Sequence, residues 1–165
     1  MVRNLHPTIF HRTVQLFFGK KRQLDKVIEE IQELLFAVRK GDRDEIMLEL
    51  ADVELTLPYL KLSFLYDEEI RIERMPDRPD FDAYSFLVLT LLRMRKEYGD
   101  SVLNKRITSL CIKGFCNALY ELYIKYNIEP KDIDSIIDYK KRRTLKRIVT
   151  GYYINEEEKH AENRA

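Results

Sequence analysis

The chain has 165 residues, of which 45% are apolar, so it is long enough to bury the core of one domain and is not disordered by composition. Its 29 Lys and Arg residues nearly balance its 28 Asp and Glu residues, and the net charge of +1 argues against a strongly basic nucleic-acid coat protein and against an acidic solubilising tail. Only 5 glycines and 5 prolines are present, which disfavours a turn-rich β-sandwich and favours helices.

Residues 1–22 carry basic side chains and no acid, and residues 1–8 have no apolar stretch typical of a signal peptide. The longest uncharged apolar stretch, near residues 84–92, is about half of the ~18–20 residues that a membrane span needs. Cys111 and Cys116 project from different sides of a helix, so we expect neither a disulfide between them nor a thiolate zinc site. These features predict a cytoplasmic protein (in the host cytoplasm, if a phage encodes it) with no membrane partner.

Apolar spacing of three and four residues predicts a helix over residues 22–39, ended by Gly41 and Asp42. A second helix is predicted over residues 43–65, with a kink at Pro58, because proline lacks the N–H that a helix interior requires. The charged segment 67–74 could continue this helix. The short connection at Gly41 predicts that the two helices are antiparallel neighbours.

Proline-rich residues 75–80 interrupt the helical pattern, and two further helices are predicted over residues 81–98 and from 99–101 to 126. A last helix, reaching about residue 150, carries the basic cluster of residues 139–147. The predicted fold class is therefore all-α: a helical bundle built on an antiparallel acidic helix hairpin, with an inserted helix pair at about 76–129 and a basic C-terminal helix. Residues 1–155 form the predicted domain, and residues 156–165 a flexible charged tail.

Acidic residues occur at matching spacing on both helices of the predicted hairpin. Glu30 and Glu33 are three apart, as are Glu49 and Asp52, so each pair shares a helix face. If the helices are antiparallel, the four carboxylates converge, and their repulsion requires a cation. All-oxygen ligands without His or Cys favour Mg²⁺, with Mn²⁺ possible, over zinc. The alternative is a solvated acidic face.

These motifs resemble the MazG-type all-α nucleoside triphosphate pyrophosphohydrolases, which include phage and bacterial dATP/dGTP and dCTP pyrophosphatases and are related to the dimeric dUTPases. The resemblance covers roughly residues 15–62, with a looser match at 140–147. The residues that carry it are Phe18-Gly19, Gln23, the run Glu29-Glu30-Ile31-Gln32-Glu33, and the run Glu49-Leu50-Ala51-Asp52-Val53-Glu54.

The resemblance implies cleavage of a nucleoside triphosphate between the α and β phosphates, giving a monophosphate and pyrophosphate. It implies that Glu30, Glu33, Glu49 and Asp52 are catalytic acids that hold the metal ions. Glu29 is the remaining catalytic candidate, which would order an outer water or cation, or act as the base for the attacking water.

Basic residues near both ends of the chain are candidates for binding the substrate. Lys140, Arg143 and Arg147 align on one face of the last helix, where they could contact phosphates, and Lys21 and Lys26 are further candidates. Phe18 and Gln23 are candidates for stacking on a base and hydrogen-bonding to it. A solvated basic face and a nucleic-acid surface are the alternatives for residues 139–147.

The inserted residues, about 76–129, distinguish this chain from the shortest members of that family and leave its nucleotide preference open. A single acidic hairpin has too little surface to close a site, so we expect a homodimer or homotetramer. The expected ligand is a nucleoside triphosphate, and nucleic acid is not an expected partner. The alternatives to an enzyme are a non-catalytic helical nucleotide-binding module and a nucleic-acid or protein interaction module.

Overall fold

The computed structural model describes residues 1–64, 69–75 and 105–152, together with Ser85 and Leu89. As predicted, the fold is an all-α bundle, to which one small two-stranded sheet is added. The elements in chain order are β1 (Arg3–Leu5), α1 (Ile9–Phe18), α2 (Lys20–Lys40), α3 (Arg43–Thr56), α4 (Pro58–Phe64), β2 (Ile70–Ile72), α5 (Lys105–Lys125) and α6 (Pro130–Val149). No helix within these described residues is long and apolar enough to pass through a membrane.

The predicted helix hairpin is confirmed as α2 and α3, which pack side by side along their lengths. Gly41 makes the turn in the left-handed region, with φ of 77°, and its N–H donates to the Ala37 carbonyl at 3.0 Å. Glycine suits this position because a side chain would strain a positive φ. Asp42 then caps α3, its carboxylate accepting hydrogen bonds from the N–H groups of Asp44 and Glu45 at 2.9 and 3.2 Å.

The kink predicted at Pro58 is confirmed as a break between α3 and α4. Leu57 lies between the two helices, and its N–H donates to the Val53 carbonyl at 2.8 Å, whereas proline has no N–H to continue the pattern. The two short helices together cover the range in which one kinked helix was expected.

The expectation that residues 67–74 continue the second helix is wrong, because Ile70–Ile72 form β2. This strand pairs with β1 in antiparallel register, with Leu5 opposite Ile70 and Arg3 opposite Ile72. The two isoleucines are buried on either side of exposed Arg71, which is the alternation of a strand with one face on the core.

Helix α1 is an element that the sequence reasoning did not predict. It ends at Gly19, whose φ of 84° and ψ of 156° belong to a region that glycine alone adopts readily. The glycine lets the chain turn directly into α2, so that α1 packs against both α2 and α4. Gly19 thereby sets the position of Phe18, one of the candidate substrate residues.

The end of α5 and both ends of α6 agree with the predicted boundaries, whereas the start predicted for α5 at residues 99–101 lies outside the described residues. Helix α5 runs without interruption through Gly114, and α6 begins with Pro130, whose missing N–H costs nothing in the first turn. The helix predicted at 81–98 and the tail predicted at 156–165 lie outside the described residues.

One hydrophobic core joins these helices and β2. The fully buried residues of the hairpin are Val27, Ile31, Leu34, Ile46, Leu50, Ala51 and Val53. Glu30 lies on the same stripe of α2, one turn from both Val27 and Leu34, which places its carboxylate at the edge of the core.

Candidate active site

Three acidic side chains of the hairpin meet at the edge of the core. Glu30 from α2 and Glu49 and Asp52 from α3 each supply an oxygen to a group of atoms that lie within 4.8 Å of one another. Glu30 is only 3% exposed. The Oε2 atoms of Glu30 and Glu49 are buried and accept no hydrogen bond within the described residues. Because unpartnered buried carboxylate oxygens are costly without a cation, this donor set fits a hard divalent ion such as Mg²⁺ or Mn²⁺.

The other two predicted acids lie beside this group. Glu33 is exposed on α2, one helical turn after Glu30. Glu29 is also exposed, and its Oε1 lies 3.2 Å from the Nζ of Lys26. The structure thus brings together three of the four predicted metal ligands, Glu30, Glu49 and Asp52. Glu33 and Glu29 lie next to them, at exposed positions of α2.

The surroundings of these carboxyl groups favour their neutral forms. Burial raises the pKa of Glu30 to about 7, and the charge of Asp52 adds to the effect while Lys26 opposes it. Burial also raises the pKa of Glu49, assisted by the charges of Asp52 and Glu33. Each shift records the free-energy cost of a buried negative charge, and a bound divalent cation would remove that cost.

Two lysines supply positive charge to Glu30, Glu49 and Asp52, which together are called the acidic group. The Nζ of Lys26 lies 2.7 Å from Oε1 of Glu30, one turn away on α2. Lys140, from α6, donates a hydrogen bond to Oδ2 of Asp52 on α3. Although burial lowers the pKa of Lys26, hydrogen bonding and the charge of Glu30 raise it to about 12, so this lysine remains charged.

A cavity of about 540 Å³ opens next to the acidic group. Lys140, Arg143 and Arg147 of α6 all line it, which confirms that their spacing aligns them on one helix face. The acidic residues that line it are Asp25, Glu29, Glu30, Glu33 and Asp52, whereas Glu49 is not part of the lining. Positive and negative side chains therefore face one another across a single space.

Part of the cavity lining is apolar. Its wall contains aromatic and aliphatic side chains from α1, α3 and α4, namely Phe10, Val14, Phe18, Leu55 and Tyr59. Gln23 also lines this space and is 6% exposed. A buried amide facing an apolar cavity offers one acceptor and two donors to a flat, polar-edged ligand.

Most predicted substrate residues line this cavity: Phe18, Gln23, Lys26, Lys140, Arg143 and Arg147. The exception is Lys21, which is exposed on α2 and is not part of the lining. Sequence reasoning missed Phe10 and Val14 of α1, although Phe10, Val14 and Phe18 recur every four residues, which is the spacing of an apolar helix stripe. It also missed Arg22, whose guanidinium lies 4.9 Å from the centre of the Phe18 ring.

In a comparison with known protein families, residues 4–77 match the family model of phosphoribosyl-ATP pyrophosphohydrolase, a family related to the MazG-like all-α pyrophosphohydrolases. No curated protein and no solved structure matches the chain significantly. The matched residues contain the acidic hairpin and the apolar wall, and they end before α5. The match supports an enzyme of the nucleotide pyrophosphohydrolase type, and it does not distinguish the MazG branch that the motifs resemble.

Proposed function

We propose that this chain is a divalent-cation-dependent nucleoside triphosphate pyrophosphohydrolase, which cleaves a (d)NTP between its α and β phosphates to a (d)NMP and pyrophosphate. The observation that carries the proposal is a single cavity in which the carboxylates of Glu30 and Asp52 face the cations of Lys140, Arg143 and Arg147. A triphosphate needs both kinds of group. The family match to a pyrophosphohydrolase supports the reaction class.

Glu30, Glu49 and Asp52, with Glu33 beside them, are the residues that would hold the cation, which we propose is Mg²⁺, with Mn²⁺ as a substitute. Bound there, the ion would polarise the phosphoryl group and lower the pKa of a water molecule. The chain itself holds these carboxylates on two packed helices, so little reorganisation is needed to form the site.

The row of cations on α6 is proposed to bind the phosphates. Arg143 and Arg147 follow Lys140 by one and two helical turns and line the same cavity. Arginine is suited to phosphate because its planar guanidinium donates two parallel hydrogen bonds. These cations would also stabilise the charge that develops on the departing pyrophosphate. They would therefore accelerate cleavage in addition to strengthening binding.

The apolar part of the cavity lining is proposed to contact the nucleobase. Phe18 offers a ring for stacking, and the amide of Gln23 offers hydrogen bonds to the base edge. A cavity of about 540 Å³ lies within the range of ordinary ligand pockets. These groups do not by themselves identify the base or the sugar.

Glu29 is proposed to act as the base for the attacking water. It lines the cavity, and its exposed carboxylate can reach solvent while Lys26 holds it close to Glu30. Its replacement by Gln would lower kcat and leave cation binding nearly unchanged, whereas replacement of Glu30 would affect both.

A substrate panel tests the reaction. The purified protein is incubated with Mg²⁺ and each of the common NTPs and dNTPs, and also with phosphoribosyl-ATP, because that compound is in the name of the matched family. We expect pyrophosphate without orthophosphate from at least one compound. Orthophosphate alone would contradict α–β cleavage. Cation-dependent nucleotide binding without any product would favour a non-catalytic binding module, and nucleic-acid retention that is independent of Mg²⁺ would favour an interaction module.

We also propose that the chain forms a homodimer or homotetramer. Ile9 and Leu16 of α1 are 84% and 87% exposed, although both are large and apolar, so the outer face of this helix is suited to a further protein contact. Light scattering after size exclusion would measure the mass. A monomer with full activity would contradict the proposal.

A further inference from the structure

Lys140 lies between the acidic group and the other two basic residues of α6 that line the cavity, Arg143 and Arg147. Its ammonium group donates to Oδ2 of Asp52, and the two side chains are 23% and 20% exposed. Arg143, one turn further along α6, lines the same cavity but forms no ion pair with any described residue. Lys140 therefore differs from its neighbour: it already has a carboxylate partner, and this partner is a candidate metal ligand.

Even with Lys140 in place, the lysines beside the acidic group do not neutralise all of its negative charge. Lys26 pairs with one oxygen of Glu30, and Lys140 pairs with one oxygen of Asp52. The Oε2 atoms of Glu30 and Glu49 remain buried, and no described residue donates a hydrogen bond to them. Glu30 is 3% exposed, so water cannot easily satisfy its carboxylate.

We propose that Lys140 is a tethered counter-ion of the acidic group. Its ammonium neutralises Asp52 when no divalent cation is bound, and it leaves Asp52 for the phosphates of the nucleotide once a cation occupies the group. This inference rests on the proposed function, and it adds an order of events: the cation binds first, and the released lysine then completes the phosphate-binding row.

Electrostatics and side-chain chemistry both support the exchange. A divalent cation held by Asp52 would repel an ammonium group at hydrogen-bond distance from the same carboxylate. The four-carbon stem of lysine can swing its point charge along the cavity towards Arg143 and Arg147, because its bonds rotate freely. Binding of the cation and binding of phosphate would then favour each other, as thermodynamic linkage requires.

The test measures cation affinity in the absence of nucleotide, with Mn²⁺ as the probe and electron paramagnetic resonance reporting the free ion. We expect Lys140→Met to bind Mn²⁺ about tenfold more tightly than the unmodified chain, because a competing charge has been removed from the site. Arg143→Gln is the matched control: it removes the same charge from the same helix face, and we expect a change of about twofold or less. Lys140→Gln repeats the measurement with a polar side chain, and circular dichroism checks the fold of every variant.

Equal Mn²⁺ affinities of the unmodified chain and both Lys140 variants would overturn the inference and leave the proposed reaction, which the substrate panel tests, intact. An equal gain in Arg143→Gln would also overturn it, because the effect would then come from long-range charge alone. Absence of Mn²⁺ binding in every variant would overturn both the inference and the proposed cation site. A gain confined to the Lys140 variants would support the exchange.

Discussion

The guanidinium of Arg3 and the carboxylate of Glu54 form a buried ion pair between residues 51 positions apart in the chain. Nε and Nη2 of Arg3 donate to the same oxygen, Oε2, at 2.9 and 2.7 Å. The hydroxyl of Tyr123 donates to the other carboxylate oxygen, and Asp134 accepts from Nη2 at 2.7 Å. The pair therefore connects β1 to α3, α5 and α6, and the Glu54 side chain is fully buried.

Replacement of Arg3 should be strongly destabilising. Arg3→Met leaves the Glu54 charge buried without its cation, so we expect the free energy of unfolding to fall by about 3–5 kcal/mol. Urea denaturation measures the loss. Arg39→Met, at an exposed position of α2, serves as the control, with an expected change within about 0.5 kcal/mol. Adding Glu54→Leu to Arg3→Met should restore part of the stability, and the absence of any recovery would refute the unpaired-charge explanation.

Burial and a backbone N–H that donates to its ring favour the neutral form of His11 in α1. The backbone N–H of Thr8 donates to Nδ1 at 3.0 Å, so Nδ1 is unprotonated and Nε2 donates to the Leu55 carbonyl at 3.0 Å. The ring is 3% exposed. Burial lowers the pKa of His11 to about 4, and the charge of Lys141 acts in the same direction.

Stability should consequently fall with pH in a defined interval. The unfolded chain protonates this histidine near pH 6.5 and the folded chain near pH 4, so the unfolded state binds more protons between these values. The stabilisation is present above pH 6.5, and about 3 kcal/mol is lost as the pH falls to 4. Denaturation from pH 8 to 4 measures it. His11→Gln should lack this contribution, whereas His6→Gln, at an exposed position, should retain it.

Glu30→Gln should abolish activity while stabilising the protein without metal. The change removes a candidate metal ligand, so we expect kcat/KM to fall at least about a hundredfold. It also removes a buried charge, so in EDTA at pH 8 the free energy of unfolding should rise by about 1–3 kcal/mol. Asp138→Asn, at an exposed position of α6, is the control and should change neither quantity. Loss of both activity and stability would argue for a purely structural role.

Gln23→Met should weaken recognition of the nucleoside and spare that of the phosphates. Loss of the buried amide should raise KM about tenfold for the preferred nucleotide and reduce discrimination between bases. Inhibition by pyrophosphate should not change, because this product has no base for the Gln23 amide to recognise. Gln32→Met, on the same helix but outside the cavity lining, is the control. An equal loss of affinity for pyrophosphate would place Gln23 at the phosphate end instead.

The acidic hairpin, its turn and the break at its end could be predicted because the relevant contacts are local. Residues three and four apart share a helix face whatever the rest of the chain does, so the pairs Glu30 with Glu33 and Glu49 with Asp52 could be placed in advance. Gly41 and Pro58 act through their own backbone geometry, which a sequence shows directly. Alignment of Lys140 with Arg143 follows from the same rule.

Tertiary structure alone decided which of these groups meet. Helical spacing treats Glu30 and Glu33 alike, yet the packing of α2 on α3 buries one carboxylate and exposes the other. The pairing of Lys140 with Asp52 spans 88 residues, and that of β1 with β2 likewise joins distant segments. Such contacts depend on the path of the whole chain. They also depend on burial, because burial shifts the pKa of a carboxyl group and makes its negative charge costly without a cation. The sequence alone determined which chemical groups each helix face presents, and the fold determined which of them form a site.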